Sequence, residues 1–147
     1  VVNKWDIKEE KTDKSAQKFQ KEAGEKAPFL KFVPWLFTSA LTGQRVTKVL
    51  ETVLLVDAER KKRISTAQVN TTLGELTARL QPPQAAGREV KLLYATQVEV
   101  EPPTIAVFGN HPDLVPEHYV RYLHNGFREA WGFNGSPLRI LLRSRAA

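Results

Sequence analysis

An unbroken apolar run, Phe32-Val33-Pro34-Trp35-Leu36-Phe37, passes within a few residues into a segment with apolar side chains at helical spacing. The run has strand length and no polar alternation, the pattern of a strand covered on both faces. Thr42-Gly43-Gln44 then opens a helix carrying Val46, Val49, Leu50, Val53 and Leu54 along one side. A buried strand that feeds such a helix belongs in a parallel α/β sheet. Upstream, Val1-Val2 reads as the end of another buried strand. Residues 8–26 read as a charge-rich surface helix with a thin stripe of Ala16, Phe19 and Ala23, stopped by Gly24. A strand needs about five residues to hold its place, so the expectation is that part of this sheet lies upstream. Met is absent even at position 1, which carries the same expectation.

The rhythm changes after residue 63. Ser65 and Gln68 have capping-box spacing, and Val69, Leu73, Leu76 and Leu80 follow on one helical face. The segment 81–87, rich in Pro, Gln and Ala, ends that helix in a loop. Val90, Leu92, Tyr94, Thr96, Val98 and Val100 then alternate with Lys91, Gln97, Glu99 and Glu101, predicting a long half-exposed strand with the first set inward. Pro102-Pro103 turns the chain into a second strand, Thr104 to Phe108. Pro116 opens a helix with Val120, Leu123, Phe127 and Trp131 toward the core. A last strand runs from Leu138 to Arg143, with Leu138, Ile140 and Leu142 inward and Arg139 and Arg143 outward. The predicted fold is therefore a partial parallel α/β unit over residues 1–63, followed by an α+β unit over residues 64–147.

Charge narrows the partners. Twenty-two Lys and Arg against 16 Asp and Glu give a formal charge of +6, and the excess is local. Arg60-Lys61-Lys62-Arg63 forms one basic run, and Arg139, Arg143 and Arg145 line the last strand without an acid between them. Such patches suit a phosphate-bearing partner; an ordinary solvated surface, or a helix C-terminus favouring cations at residues 60–63, is the plainer alternative. The absence of Cys excludes disulfides, thiolate-bound zinc and a cysteine nucleophile. No apolar run reaches membrane-spanning length, so no membrane association is expected. His111 and His124 have no carboxylate or second histidine at ligand spacing, and no metal site is expected.

Asn3-Lys4-Trp5-Asp6 has the form N-K-x-D, which has a chemical logic for guanine. A carboxylate at Asp6 can accept two parallel hydrogen bonds from the ring N–H and exocyclic amine of guanine, a pair adenine does not offer. Asn3 can tie the base to a neighbouring loop, and the Lys4 stem can lie along the purine face. Alternatively, Asp6 is a helix N-cap before residues 8–26. Ser39-Ala40-Leu41 follows the apolar run directly, where a loop can present backbone N–H groups to a base carbonyl. Two loops at the carboxyl ends of parallel strands are where α/β sheets bind ligands.

With these residues in place, the chain resembles the EngA/Der family of double-Era-like GTPases over essentially its whole length. Residues 1–56 resemble the last third of a translation-factor-like GTPase domain, with NKWD and TSAL as guanine-reading motifs. RISTAQVN, LLYATQVEVEPPTIAVFGNHP, YVRYLHNGFREAWGFNGSPLRI and LLRSR resemble the KH-like domain that closes the family. The resemblance implies a C-terminal piece of a parent with two tandem GTPase domains, acting in the cytoplasm on the large ribosomal subunit and its rRNA. It places guanine contacts of GTP or GDP on Asn3, Lys4, Asp6, Ser39, Ala40 and Leu41. The phosphate loop G-x-x-x-x-G-K-[ST] and D-x-x-G are missing from this chain, and with them the Mg2+ ligands. The chain alone should not hydrolyse GTP, and no catalytic residue is assigned.

Within the second unit, Gly132-Phe133-Asn134-Gly135 matches the G-x-x-G of an RNA-clamping loop, yet its position after a helix better suits a C-cap and turn. RNA contact would then rest on charge: Arg121 and Arg128 seven residues apart with His118 and Asn125, the run Arg60 to Arg63, and Arg139, Arg143 and Arg145. The alternative is that this face meets the upstream GTPase domains of the parent. A rival reading is a free-standing RNA-binding or scaffold module with no nucleotide role.

Overall fold

The computed structural model of the chain describes residues 1–8 and 12–145, which divide into two compact units, 1–58 and 59–147.

In the first unit, Trp5–Ile7 forms a single 3₁₀ turn, and α1 spans Asp13–Lys26. Thr12 caps α1 reciprocally with Ser15: each side chain serves the other's backbone N–H. The cap therefore falls to Thr12 and not to Asp6. The start of the helix expected over residues 8–26 lies partly at 9–11, outside the described residues. Gly24 does not stop the helix, which runs on to Lys26 and ends with the Ala27 N–H on the Ala23 carbonyl. One interior glycine costs only about 1 kcal/mol, too little to break a capped helix.

The apolar run 32–37 is not a regular strand. It is an extended segment that makes one parallel bridge, Val2 to Phe37, with Val2 N–H on the Leu36 carbonyl at 2.7 Å and Thr38 N–H on the Val2 carbonyl at 2.8 Å. Pro34 has no N–H to donate to a ladder. What holds the segment is aromatic packing: Phe19 of α1 meets Trp5, Trp35 and Phe37 edge-on at 5.8–6.3 Å, and Trp5 lies 4.4 Å from Phe37. Helix α2, Val46–Arg60, follows, and its Val46, Leu50, Val53, Leu54 and Leu55 are exposed.

The second unit runs α3 (Thr66–Arg79), β1 (Leu92–Glu99), β2 (Thr104–Gly109), α4 (Glu117–Trp131) and β3 (Arg139–Ser144). Its sheet has order β1-β2-β3, antiparallel between the first two and parallel between the last two. The expected capping box of Ser65 and Gln68 forms, and Val69, Leu73 and Leu76 are buried from α3. Leu80 instead sits in the extended C-cap and is half exposed. Tyr119, Leu123 and Phe127 of α4 complete the core with Ala95, Ile105 and Val107 of the sheet. The Tyr119 hydroxyl donates to the Leu80 carbonyl at 2.6 Å and that of Tyr122 to the Leu76 carbonyl at 2.9 Å, tying α4 to α3. Burial, with Tyr122 alongside, pushes the Tyr119 hydroxyl pKa up to about 12, so it remains a donor.

The inward set expected along β1 is reversed in its middle. Ala95 and Gln97 are buried, whereas Tyr94 and Val98 are exposed. The pairing with β2 skips a residue between Leu92 and Tyr94 and again between Gln97 and Glu99. Each irregularity shifts the alternation by one and turns the intervening residues to the opposite face.

Candidate functional site

The two loops singled out in the sequence meet in the first unit. Asn3 Oδ1 accepts the Ala40 N–H at 3.0 Å, and the Ser39 hydroxyl donates to Asp6 Oδ1 at 2.5 Å. Trp5, the variable position of the motif, is the anchor: it is buried on Phe37, and its N–H donates to the Thr38 carbonyl at 2.9 Å. With Trp5 pinned, Lys4 is held at φ 62°, ψ 33° and faces solvent. That left-handed conformation costs a lysine roughly 1 kcal/mol, and residues so held cluster at ligand sites. Lys8 lies over the Trp5 ring at 4.9 Å.

The second loop closes on itself. Ser39 is fully buried, its N–H donates to the Gln44 carbonyl at 3.1 Å, and its Oγ accepts the Thr42 N–H at 3.2 Å. The ring of bonds projects Ala40 and Leu41 outward, with Leu41 86% exposed. All six residues expected in the guanine site thus share one corner. The Ala40 N–H, one of those the loop could present to a base carbonyl, is donated to Asn3 instead. The Leu41 N–H makes no hydrogen bond among the described residues. Trp5 was legible only as a spacer; its burial depends on Phe19 and Phe37, which are distant in sequence.

The basic residues of the second unit separate into two groups. Arg60 is paired with Glu101 at 2.5 Å, and Lys62 binds Glu59 at 2.6 Å and the Trp131 carbonyl at 3.1 Å. Lys61 and Arg63 are exposed. Arg121 is exposed beside Glu117 at 3.3 Å. Arg128 does not join it on the surface. Its guanidinium turns inward onto the loop after α4, donating to the carbonyls of Phe133 at 2.9 Å, Ser136 at 2.5 Å and, more weakly, Gly132 at 3.5 Å. Arg139, Arg143 and Arg145 are exposed at the end of the chain, the first two on β3.

The loop Gly132–Gly135 is a helix terminus. Gly132 caps α4 at φ 81°, a conformation that suits glycine, and its N–H donates to the Arg128 carbonyl at 2.8 Å. Glu59 accepts the Asn134 N–H at 3.1 Å; Lys62 and the loop amides hold the Glu59 carboxyl below its usual range against the opposing effect of burial. Among the described residues no group of three or more His, Cys, Asp and Glu is gathered, and no helix is long and apolar enough to cross a membrane.

An α-β-β-α-β unit with a mixed three-stranded sheet defines a KH-like domain, preceded by a segment that carries the paired-loop corner. Residues 63–143 match the KH-domain-like family of EngA bacterial GTPase enzymes, C-terminal. The chain is 73% identical over 145 residues to the GTPase Der of Gemmatimonas aurantiaca, 46% to that of Desulforamulus reducens, and 44% over 147 residues to that of Fusobacterium nucleatum. These alignments cover 99–100% of this chain and 33% of each relative. The chain belongs to the EngA/Der family and spans about a third of the length of the curated relatives it matches.

Proposed function

We propose that this chain is the C-terminal part of a guanine-nucleotide-binding protein that acts in the cytoplasm during assembly of the large ribosomal subunit. In this reading residues 1–63 are the C-terminal part of a GTPase domain with a partial parallel sheet, and they carry its base-reading corner. Asp6 accepts from the guanine ring N–H and amine, the Lys4 stem covers one purine face, and Asn3 braces the Ser39–Leu41 loop. The KH-like domain docks on rRNA through Arg139, Arg143 and Arg145, with Arg121 and the exposed residues of the run 60–63 contributing charge. The observation that carries the nucleotide reading is the double tie between the loops, Asn3 to Ala40 and Ser39 to Asp6. A carboxylate aimed by a buried hydroxyl is arranged for orientation, whereas a helix cap would serve backbone amides. Phosphate binding, Mg2+ and hydrolysis belong, in this reading, to upstream segments of the parent, whose GTPase domains are also partners of this chain.

The test is a change of base preference in the parent-length protein. Asp6→Asn replaces an acceptor by an amide that can donate to the 2-carbonyl of xanthine. It should weaken guanine nucleotide binding by at least about 100-fold and improve binding of the xanthine nucleotide. Unchanged guanine affinity would sink the assignment.

A further inference from the structure

The sheet of the KH-like domain has a second face that the core does not use. Ile105 and Val107 of β2 point into the core with Ala95, and Ile140 and Leu142 of β3 pack against it. By strand alternation Thr104, Ala106 and Phe108 point the other way, and the register places Tyr94 beside Phe108, Arg143 beside Phe108 and Arg139 beside Thr104 on that same side. There the Tyr94 and Phe108 rings lie stacked, 9° from parallel with centroids 4.5 Å apart. Tyr94 is 40% exposed, and its hydroxyl makes no hydrogen bond among the described residues. Arg139 and Arg143 are exposed on this face and form no ion pair among the described residues. An acid also stands at this end of the sheet, Glu99, whose Oε2 accepts from Thr104 at 3.2 Å.

Thr104 and Ala106 are buried on this side, so its exposed part is the Tyr94 edge together with Arg139 and Arg143. We propose that this exposed edge is a stacking platform for an unpaired base of single-stranded RNA, with Arg143 and Arg139 holding the flanking phosphates. The inference rests on the reading that the KH-like domain meets RNA, and it names the element of RNA recognised and the residues that recognise it. Aromatic side chains accept any base through its π-face, and a cationic flank supplies the backbone contacts. A duplex buries its bases in the stack and offers Tyr94 none. The charge favours RNA over an apolar protein surface: two unpaired arginines bordering an exposed ring are costly to desolvate in a protein contact that does not neutralise them.

The experiment uses the full 147-residue chain, a single-stranded RNA carrying one 2-aminopurine, and the same sequence as a blunt duplex. The unchanged chain and Tyr94→Phe should bind the single strand and quench the 2-aminopurine. Tyr94→Ala should weaken single-strand affinity roughly 5- to 150-fold, the range for loss of one stacked base, and abolish the quenching while duplex affinity stays constant. Tyr94→Leu keeps apolar bulk on the sheet and guards against a folding defect; it should melt like the unchanged chain and still lose the quenching. Full quenching and unchanged single-strand affinity in a folded Tyr94→Leu chain overturn the platform, including the case in which this face serves a protein partner. If Arg139→Glu with Arg143→Glu weakens rRNA binding while the Tyr94 variants do not, rRNA docking survives and the platform fails. No RNA binding by the unchanged chain sinks both.

Discussion

The side chain of Asn70 pairs with both backbone groups of Ala95. Its Nδ2 donates to the Ala95 carbonyl and its Oδ1 accepts the Ala95 N–H, each at 2.9 Å. Ala95 lies on β1, an edge of the sheet, so the amide of a helix residue acts there as a one-residue substitute strand. The same Nδ2 also reaches the Thr66 carbonyl at 2.7 Å. Asn70→Ala removes these bonds and leaves a partly buried N–H and C=O unmatched, at a cost of about 1–3 kcal/mol. Asn70→Asp keeps the acceptor but sets a carboxylate against the Ala95 carbonyl, and should cost at least as much. Urea unfolding of the chain checks both, and a stability unchanged by either would contradict the role assigned to Asn70.

Arg128 is predicted to act on stability. Its guanidinium supplies the donors for the Phe133 and Ser136 carbonyls in the loop that follows α4. Arg128→Met keeps the stem and removes the donors, and should destabilise the domain by about 2–3 kcal/mol. Arg128→Lys should recover only part, since one ammonium cannot reproduce a planar fork. Comparing thermal melts with RNA affinity at a temperature where both variants remain folded separates this role from phosphate contact, which would lower affinity and its salt slope.

His124 confers a pH dependence with a definite sign. Burial, with Arg128 adding positive charge nearby, lowers its pKa from the usual 6.5, against the opposing effect of a hydrogen bond to the Leu138 carbonyl at 3.1 Å. The folded state therefore favours the neutral ring. Its contribution to stability is fully present above pH 6.5 and is lost as pH falls through the lower folded-state pKa, because the unfolded chain binds the proton first. His124→Gln should flatten the fall in stability between pH 7 and 5, measured by denaturant midpoint. An equally steep fall in the variant would exclude His124 as its source.

The apolar side of α2 predicts self-association of the chain on its own. Leu50 and Leu54 are each 70% exposed, with Val53 between them at 57%, and a contiguous face of this kind seeks a partner. Leu50→Lys with Leu54→Lys should shift a concentration-dependent mass toward the monomer in light scattering. A monomeric unchanged chain at high concentration, with protected amides across residues 33–56, would refute the expectation.

Local signals accounted for much of what proved legible. The Ser65–Gln68 box, the helical stripes of α3 and α4, the alternation of β3 and the glycine cap at Gly132 each depend on residues within one or two turns of one another. Their hydrogen bonds are closed locally, so the pattern of residue types is enough to place them. The candidate corner was legible for a related reason, since Asn3, Asp6 and Ser39 carry side chains whose chemistry is specific even before their partners are known.

Tertiary structure decided the rest. Whether Phe32–Phe37 became a strand depended on what lay beside it, and one bridge to Val2 does not make a ladder. The facing of Tyr94 depended on where β1 skips a residue against β2, which shifts the alternation without marking the sequence. Arg121 and Arg128 are the same residue type at helical spacing. The carbonyls of the loop after α4 drew Arg128 inward, whereas Arg121 remained in solvent beside Glu117. By itself the sequence determined the helices and strands of the second unit and which side chains have chemistry to offer. The long-range pairing of those elements determined which faces are open, because register and side-chain partners are properties of two segments and not of either alone.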